Sequence, residues 1–371
     1  MKILFTGGGT AGHIFPIIAI TREIKRNYPY AGFEFFYLGP RDKFAKEFLS
    51  PEGIEIRTVL AGKIRRYFSP LNIIDFFKLP IGILQAFYHI FVLSPDLIFS
   101  KGGYGSLPAV LASWLLSTPI FLQESDVSPG LSNRIAGKLA LEIFTAFSIR
   151  KTEYFPAKKM ISVGNPVRRE ILEGSKEEAE KIFNLTREKP VIMILGGSQG
   201  AQRINEKLLS ILPEILSDFE IIHQTGKVNF DQMRREADFV IAEDLKRYYH
   251  LTPFLTEKEL AQGYQVADLI ISRAGAGAIF EIAAVGKASI LIPLSESAQN
   301  HQVKNAYVFA ESGATIVIEE ANFKPHFILE RIKYLFSQPG RLEEMGQRAK
   351  EFSRPQAARI IAGYLVTYLN L

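Results

Sequence analysis

The stretch Val191–Asn205 constrains this chain more than any other. Val191–Leu195 is an unbroken apolar run, which reads as a short strand buried on both faces of a parallel sheet. Gly196, Gly197, Ser198, Gln199 and Gly200 follow, and Ala201–Leu216 then shows helical spacing. A strand, a Gly-rich turn and a helix in that order can make an anion site. The glycines let backbone approach closely, and the free N–H groups of a helix start face negative charge. The spacing is neither GxGxxG nor GxxxxGK[ST], so neither a dinucleotide fold nor a P-loop follows from it. The chain also opens in this manner. Lys2–Phe5 reads as a strand, followed by Thr6, Gly7, Gly8, Gly9, Thr10, Ala11, Gly12 and His13, and by a helix from about Phe15 with Pro16 in its first turn.

Two such openings in 371 residues predict two domains, in keeping with about 150 residues per domain. Apolar residues make up 47% of the chain, enough for a sizeable core in each. The absence of cysteine excludes disulfides and thiolate metal sites. Met1–Phe5 reads as a strand rather than a signal peptide. The longest apolar run, Ile81–Leu93, contains Gln85 and His89 and is too short to span a bilayer. A net charge of +5 is mild; it favours an acidic surface or a polyphosphate partner, and no nucleic-acid partner is expected.

Further strands are expected at Phe33–Leu38, Ile54–Val59, Leu97–Ser100, Ile120–Leu122, Glu142–Ala146 and Lys159–Val163. In the second half they are expected at Phe219–Gln224, about Val240–Ala242, Leu269–Ser272, Ala288–Ile292 and Thr315–Ile318. Strands alternating with helices throughout predict doubly wound α/β layers twice over. The expected division is residues 1–164, joined by a C-terminal helix within 353–371, and residues 165–352, with the crossing at Gly164–Arg168. Pro80–Leu93 reads as a core helix. Lys63–Leu79 mixes Lys63, Arg65 and Arg66 with Tyr67, Phe68 and several aliphatic residues, which reads as an interfacial patch for anionic lipid.

Strand ends supply the candidate residues, because loops at the carboxyl ends of parallel strands line the ligand crevice. Such loops hold Lys101–Ser106 and Gln123–Asp126. In Ser272–Glu281 small residues open a helix, and Glu281 could accept two hydroxyls of a ribose, or simply be a solvated first-turn carboxylate. Pro293–Asn305 carries Gln299, Asn300, His301, Gln302 and Asn305, which suit sugar hydroxyls or a helix cap. His13 could act as a general base, donate to phosphate, or bond to nearby backbone. No metal-ligand spacing is visible, so diphosphate charge would have to be met by helix N-termini and backbone donors.

The segments GGGTAGH, KGGYGSLPA, GNPVR, LGGSQGA, SRAGAGAIFE and HQVKNA together resemble, in order and spacing, the MurG family of peripheral membrane glycosyltransferases, glycosyltransferase family 28. The resemblance covers nearly the whole chain. It implies a glycosyltransferase B fold: two Rossmann-like doubly wound parallel-sheet domains facing a cleft. It implies inverting, metal-independent transfer of N-acetylglucosamine from UDP-GlcNAc to lipid I, the undecaprenyl-diphospho-muramoyl-pentapeptide, at the cytoplasmic face of the membrane, with no cofactor. Carried over by position, Thr10, Ala11 and Gly12 contact the donor sugar and His13 is the proposed base, with Glu124 an alternative base. Gly103 and Tyr104 lie near the acceptor. Arg168, Gly197, Ser198 and Gln199 contact the donor, Ser198 at its diphosphate, and Leu255 meets uracil through its backbone. Ala276, Gly277, Ala278, Ile279 and Phe280 form the donor helix, with Glu281 on the ribose and Gln302 on a sugar hydroxyl. Two positions depart from the family. Ala11 replaces a glycine, which requires a negative φ there, and Asp126 replaces an amide that contacts the donor sugar. A related enzyme acting on another lipid, such as a diacylglycerol, and a non-catalytic UDP-sugar-binding scaffold are the alternatives.

Overall fold

The computed structural model describes residues 1–8, 10–62, 71–148, 153–197 and 201–370. The chain forms two compact units, Met1–Arg168 with Arg354–Leu371, and Arg169–Ser353. Unit 1 is built on strands β1 (Lys2–Thr6), β2 (Glu34–Gly39), β3 (Ile54–Thr58), β4 (Leu97–Ser100), β5 (Ile120–Glu124), β6 (Glu142–Thr145) and β7 (Met160–Ser162). They pair in parallel in the order β3-β2-β1-β4-β5-β6-β7. Unit 2 holds β8 (Val191–Leu195), β9 (Glu220–Gln224), β10 (Tyr249–Thr252), β11 (Leu269–Ser272), β12 (Ala288–Leu291) and β13 (Thr315–Val317), parallel in the order β10-β9-β8-β11-β12-β13. Each sheet therefore reverses its winding once, at β1/β4 and at β8/β11. A crevice opens at the carboxyl ends of strands at such a point.

Alternate strand residues face opposite sides, so each sheet is buried twice. In unit 1, Ile3, Phe5, Phe35, Tyr37, Phe99, Phe121 and Phe144 cover one face. Ile17 and Ile20 of helix Ala11–Asn27, and Ile361, Leu365 and Val366 of helix Ala357–Tyr368, pack on them. Leu4, Phe36, Leu38 and Ile98 cover the other face, under Ala86, Ile90, Ala109 and Ala112. In unit 2 the core joins Ile192, Ile194, Ile221 and Ile271 to Ile204, Leu208, Leu212 and Ile215.

Four local expectations change. Helix Ala11–Asn27 begins before Phe15, so Pro16 lies inside it and His13 falls in its first turn. The proline ring removes the N–H that a helix would direct at the Gly12 carbonyl. The expected Ala201–Leu216 helix is two, Gln202–Leu209 and Leu212–Asp218, with Pro213 in the first turn of the second. The expected strand near Val240–Ala242 is the end of helix Phe230–Val240, where Ile241 N–H bonds the Ala237 carbonyl. The edge strand is Tyr249–Thr252, whose half-buried, polar composition hides the strand signal.

The fourth change concerns Pro80–Leu93, which is not a core segment. It belongs to helix Leu71–Leu93, and only Gly82, Ala86 and Ile90 of this part are buried. They form a stripe of one residue per turn on the side that packs against helix Leu107–Leu115. Ile81, Leu84, Phe87, Tyr88, Phe91 and Val92 face outwards, Leu84 at 71% and Phe91 at 67% exposure. Trp114 and Leu115, at the end of helix Leu107–Leu115, are exposed as well. Of the expected interfacial patch, 63–70 lies outside the described residues; Phe77 is exposed, and Lys78 pairs with Asp75 at 2.7 Å. Among the described residues no helix is long and apolar enough to cross a membrane.

Candidate active site

In unit 1 the β1 and β4 loops meet around His13. Thr10 caps the helix with extended backbone, and its Oγ1 lies 2.7 Å from His13 Nδ1. Ala11 is the first helical residue and lies outside the left-handed region, so its methyl is accommodated; Gly12 follows it in the same turn. Gly103, with φ of +81°, presses on the other side of the imidazole: a β-carbon there would stand 2.9 Å from His13 Nε2. If Nδ1–H donates to Thr10, Nε2 is left as the proton acceptor. Tyr104 opens the short turn that follows and is partly exposed.

Glu124 ends β5 and is 2% exposed. Its Oε1 accepts the Asp126 N–H at 2.8 Å, and its Oε2 accepts from Asn133 Nδ2 at 2.7 Å. Asn133 Oδ1 in turn accepts the Gly103 N–H at 3.3 Å, so one amide side chain joins the Glu124 carboxylate to the backbone beside His13. Burial, and secondarily the Asp126 charge, raise the Glu124 carboxyl above its ordinary range. Arg168 is buried, with its guanidinium 3.9 Å from the Phe15 ring centre. The β5 loop is thus joined through Asn133 to the β4 loop beside His13.

In unit 2, β8 runs into Gly196 and Gly197, the latter with φ of +78°; Ser198, Gln199 and Gly200 lie outside the described residues. A side chain at Gly196 would be crowded, because an added β-carbon would stand 3.0 Å from Ala201 N and 3.1 Å from Gln224 O. Gln224 ties this turn to the β10 loop. Its Nε2 donates to the Gly197 carbonyl at 3.3 Å, and its Oε1 accepts the Leu255 N–H at 3.2 Å. Leu255 is buried. Across the winding reversal, Gly275 caps helix Ala276–Val285, and added β-carbons at Gly275 and Gly277 would meet open space. Ala276 and Ala278 keep this helix start small, whereas Ile279 and Phe280 are core residues, Phe280 against Phe352. Glu281 sits in the second turn of the helix, not the first, and accepts the Tyr264 hydroxyl at 3.0 Å. Gln302 Oε1 accepts the Leu294 N–H at 3.0 Å and so holds the polar loop after β12.

Asn133, Gln224 and Tyr264 escaped the sequence reading as participants, and Lys101 falls in a loop expected at the crevice but given no role of its own. Lys101 and Gln224 lie at strand ends, where position alone marks them; Asn133 and Tyr264 lie on helices distant from any motif, and nothing in their local pattern marks them.

Two family models match the chain: the glycosyltransferase family 28 N-terminal domain over residues 3–145 and the glycosyltransferase family 28 C-terminal domain over residues 191–360. A Bacillus cereus protein named UDP-N-acetylglucosamine–N-acetylmuramyl-(pentapeptide) pyrophosphoryl-undecaprenol N-acetylglucosamine transferase 2 is 37% identical over 361 residues, 97% of each chain. This chain belongs to glycosyltransferase family 28. Among solved structures, Acinetobacter baumannii MurG superposes with a TM-score of 0.72 at 25% identity, covering 99% of both chains. Staphylococcus aureus MnaA with UDP reaches the same TM-score of 0.72 at 14% identity, covering 100% of this chain and 98% of the other, a likeness of fold. The two family models fall on the two sheets, so the family's N-terminal domain carries the His13 and Glu124 loops and its C-terminal domain the Gly197, Leu255 and Glu281 positions.

Proposed function

We propose that this chain transfers N-acetylglucosamine from UDP-GlcNAc to lipid I, with inversion at the anomeric carbon, and so makes lipid II for peptidoglycan synthesis. The observation that carries this reading is 37% identity over 97% of the chain to a protein named for that transfer. Unit 2 takes the donor. The open helix start at Gly275–Gly277 and the turn at Gly196–Gly197 offer backbone N–H groups to the diphosphate, stabilising the charge that develops on the leaving UDP. Glu281 accepts the ribose hydroxyls, the Leu255 backbone meets uracil, and Gln302 meets sugar hydroxyls. Unit 1 takes the acceptor. The acceptor hydroxyl forms the new bond to the anomeric carbon as the bond to the diphosphate oxygen breaks, and its proton passes to His13 Nε2 or to Glu124. The outward apolar face of helix Leu71–Leu93, with Trp114 and Leu115, is the contact with the cytoplasmic face of the membrane where the lipid acceptor lies.

The test is turnover of UDP-GlcNAc, alongside other UDP-sugars, with a short-chain lipid I analogue and with diacylglycerol. Transfer to the lipid I analogue alone is expected, and sugar appearing only on diacylglycerol would refute it. His13→Ala and Glu124→Gln separate the two candidate bases. The true base loses about 10²–10⁴-fold in kcat. A scaffold that merely binds UDP-sugar would show no turnover for either change to remove.

A further inference from the structure

Glu320 opens the short turn after β13 and is only 6% exposed. A carboxylate this buried is rare unless it is paired. Its Oε1 accepts from Arg273 Nη2 at 3.0 Å, and Arg273 Nη1 donates to the Ile292 carbonyl at 3.2 Å. The planar guanidinium thus forks between the segments that follow β12 and β13, a geometry that a lysine ammonium does not supply. Arg273 itself follows β11 directly and stands two residues before Gly275, the cap of helix Ala276–Val285. Helix Gln202–Leu209, which follows the Gly196–Gly197 turn, reaches Glu320 as well. Arg203 Nη1 lies 3.7 Å from Glu320 Oε2, an ion pair too long for a hydrogen bond, and Lys207 Nζ donates to the Glu320 backbone carbonyl at 3.2 Å. Arg203 also pairs with Glu296 of the β12 loop at 3.0 Å. The Arg273 side chain is 14% exposed and that of Arg203 55%, so the Arg273 pair is the stronger and solvent screens the other.

We propose that Glu320 is a positioning residue for the donor's diphosphate: through Arg273 and Arg203 it fixes the helix start at Gly275–Gly277 and the turn at Gly196–Gly197 on the two strands, β11 and β8, that meet at the winding reversal. This rests on reading those two backbone segments as the diphosphate site. Backbone donors stabilise developing charge only when they are aimed before it forms. The glycines do not aim themselves: added β-carbons at Gly197, Gly275 and Gly277 would meet nothing within 4 Å, so no packing at these residues holds the segments in place. The side chains of the flanking residues hold them instead. Arg273 commits both terminal nitrogens to Glu320 and the Ile292 carbonyl, so its part is to anchor the β11 loop. Without the carboxylate, a largely buried guanidinium would keep one neutral acceptor and lose its counter-charge. The base and ribose positions are anchored through other side chains, Leu255 by Gln224 and Glu281 by Tyr264. Loss of the Glu320 clamp therefore falls on the diphosphate.

The test compares UDP with uridine on the full chain, by calorimetry for UDP and by competition for uridine, in the wild type, Glu320→Gln and Arg203→Met. Glu320→Gln keeps the shape and one acceptor for Arg273 but removes the charge. It is expected to weaken UDP about tenfold and to leave uridine within about twofold. Arg203→Met removes only the exposed partner and is expected to weaken UDP about two- to threefold. Hydrogen exchange resolved by peptide gives a second readout that needs no ligand: in Glu320→Gln, peptides over 273–281 and 202–209 exchange faster, while β9 keeps its protection. UDP affinity unchanged in Glu320→Gln overturns the proposal. So does an equal loss for UDP and uridine, which marks a general structural role, and so does unchanged exchange over 273–281. A wild type that binds no UDP refutes the donor reading itself, and the exchange data then decide separately whether Glu320 anchors the two segments.

Discussion

The Glu281 carboxylate accepts the Tyr264 hydroxyl at 3.0 Å, a bond that spans 17 residues of sequence. Tyr264 is buried and its hydroxyl orients this carboxylate, which under the proposed donor reading meets the ribose diol. Glu281→Gln is expected to raise KM for UDP-GlcNAc about tenfold with little change in kcat, because hydrogen bonds to a charged group contribute about 1.5–3 kcal/mol and this one forms in ground and transition states alike. Steady-state kinetics with varied donor checks it. His223 gives a pH prediction. It is fully buried on β9, with Nδ1 2.8 Å from the Tyr249 hydroxyl and Nε2 3.2 Å from Asn205 Oδ1, and burial lowers its pKa to about 3. Its folded value lies below the unfolded one, so the stability it contributes is present above about pH 6.5 and lost as pH falls towards about 3, at ~1.4 kcal/mol per unit. Denaturant unfolding at pH 7 and pH 5 checks it: His223→Gln should show the shallower loss. The Glu124–Asn133–Gly103 chain belongs to this scale too. Sequence marks Glu124 and Gly103 by their strand-end positions, but the amide joining them comes from a separate helix.

At the scale of elements, helix Leu71–Leu93 separates apolar composition from burial. Sequence shows an apolar segment; only packing shows that its small residues Gly82 and Ala86, with Ile90, turn inwards. A β-carbon on Gly82 would stand 1.9 Å from the Leu60 carbonyl oxygen, so the helix sits close to the chain after β3 on that side. The large residues therefore face out, against the usual direction for such side chains. Leu84→Ser with Phe91→Ser should reduce sedimentation with anionic vesicles several-fold while shifting stability by only about 0.5 kcal/mol, since exposed positions contribute little to folding. Co-sedimentation and thermal melts check both halves; unchanged vesicle binding would move the membrane contact elsewhere. The strand signals behaved differently by depth. Val191–Leu195 and Leu269–Ser272 are buried throughout and read directly as apolar runs. Edge strand Tyr249–Thr252 is half exposed, and its polar residues carry no such pattern.

At the scale of the whole chain, the last segment returns to the first sheet. Arg354–Leu371 belongs to unit 1 although unit 2 precedes it directly in sequence. Ile361, Leu365 and Val366 are fully buried against the strands that carry Phe121 and Phe144. Leu365→Ala should destabilise unit 1 by about 2–5 kcal/mol, a large share of a domain's usual margin, and leave unit 2 unaffected. Hydrogen exchange resolved by peptide checks it; faster exchange in β5 and β6 but not in β8 and β11 is expected.

The amino-acid sequence by itself determined the two strand–glycine loop–helix openings, the parallel α/β class and the six motifs that mark family 28, because these depend on periodicity and on glycine at fixed spacing. It also indicated that the C-terminal helix must bury an apolar side. Tertiary structure alone decided which strands and helix that segment packs on and which face of Leu71–Leu93 is exposed. It also decided that Glu124 and Asn133, from separate elements, join to the Gly103 backbone beside His13. Burial and charge coupling are sums over neighbours brought together by the sheet order, and no stretch of sequence contains those neighbours together.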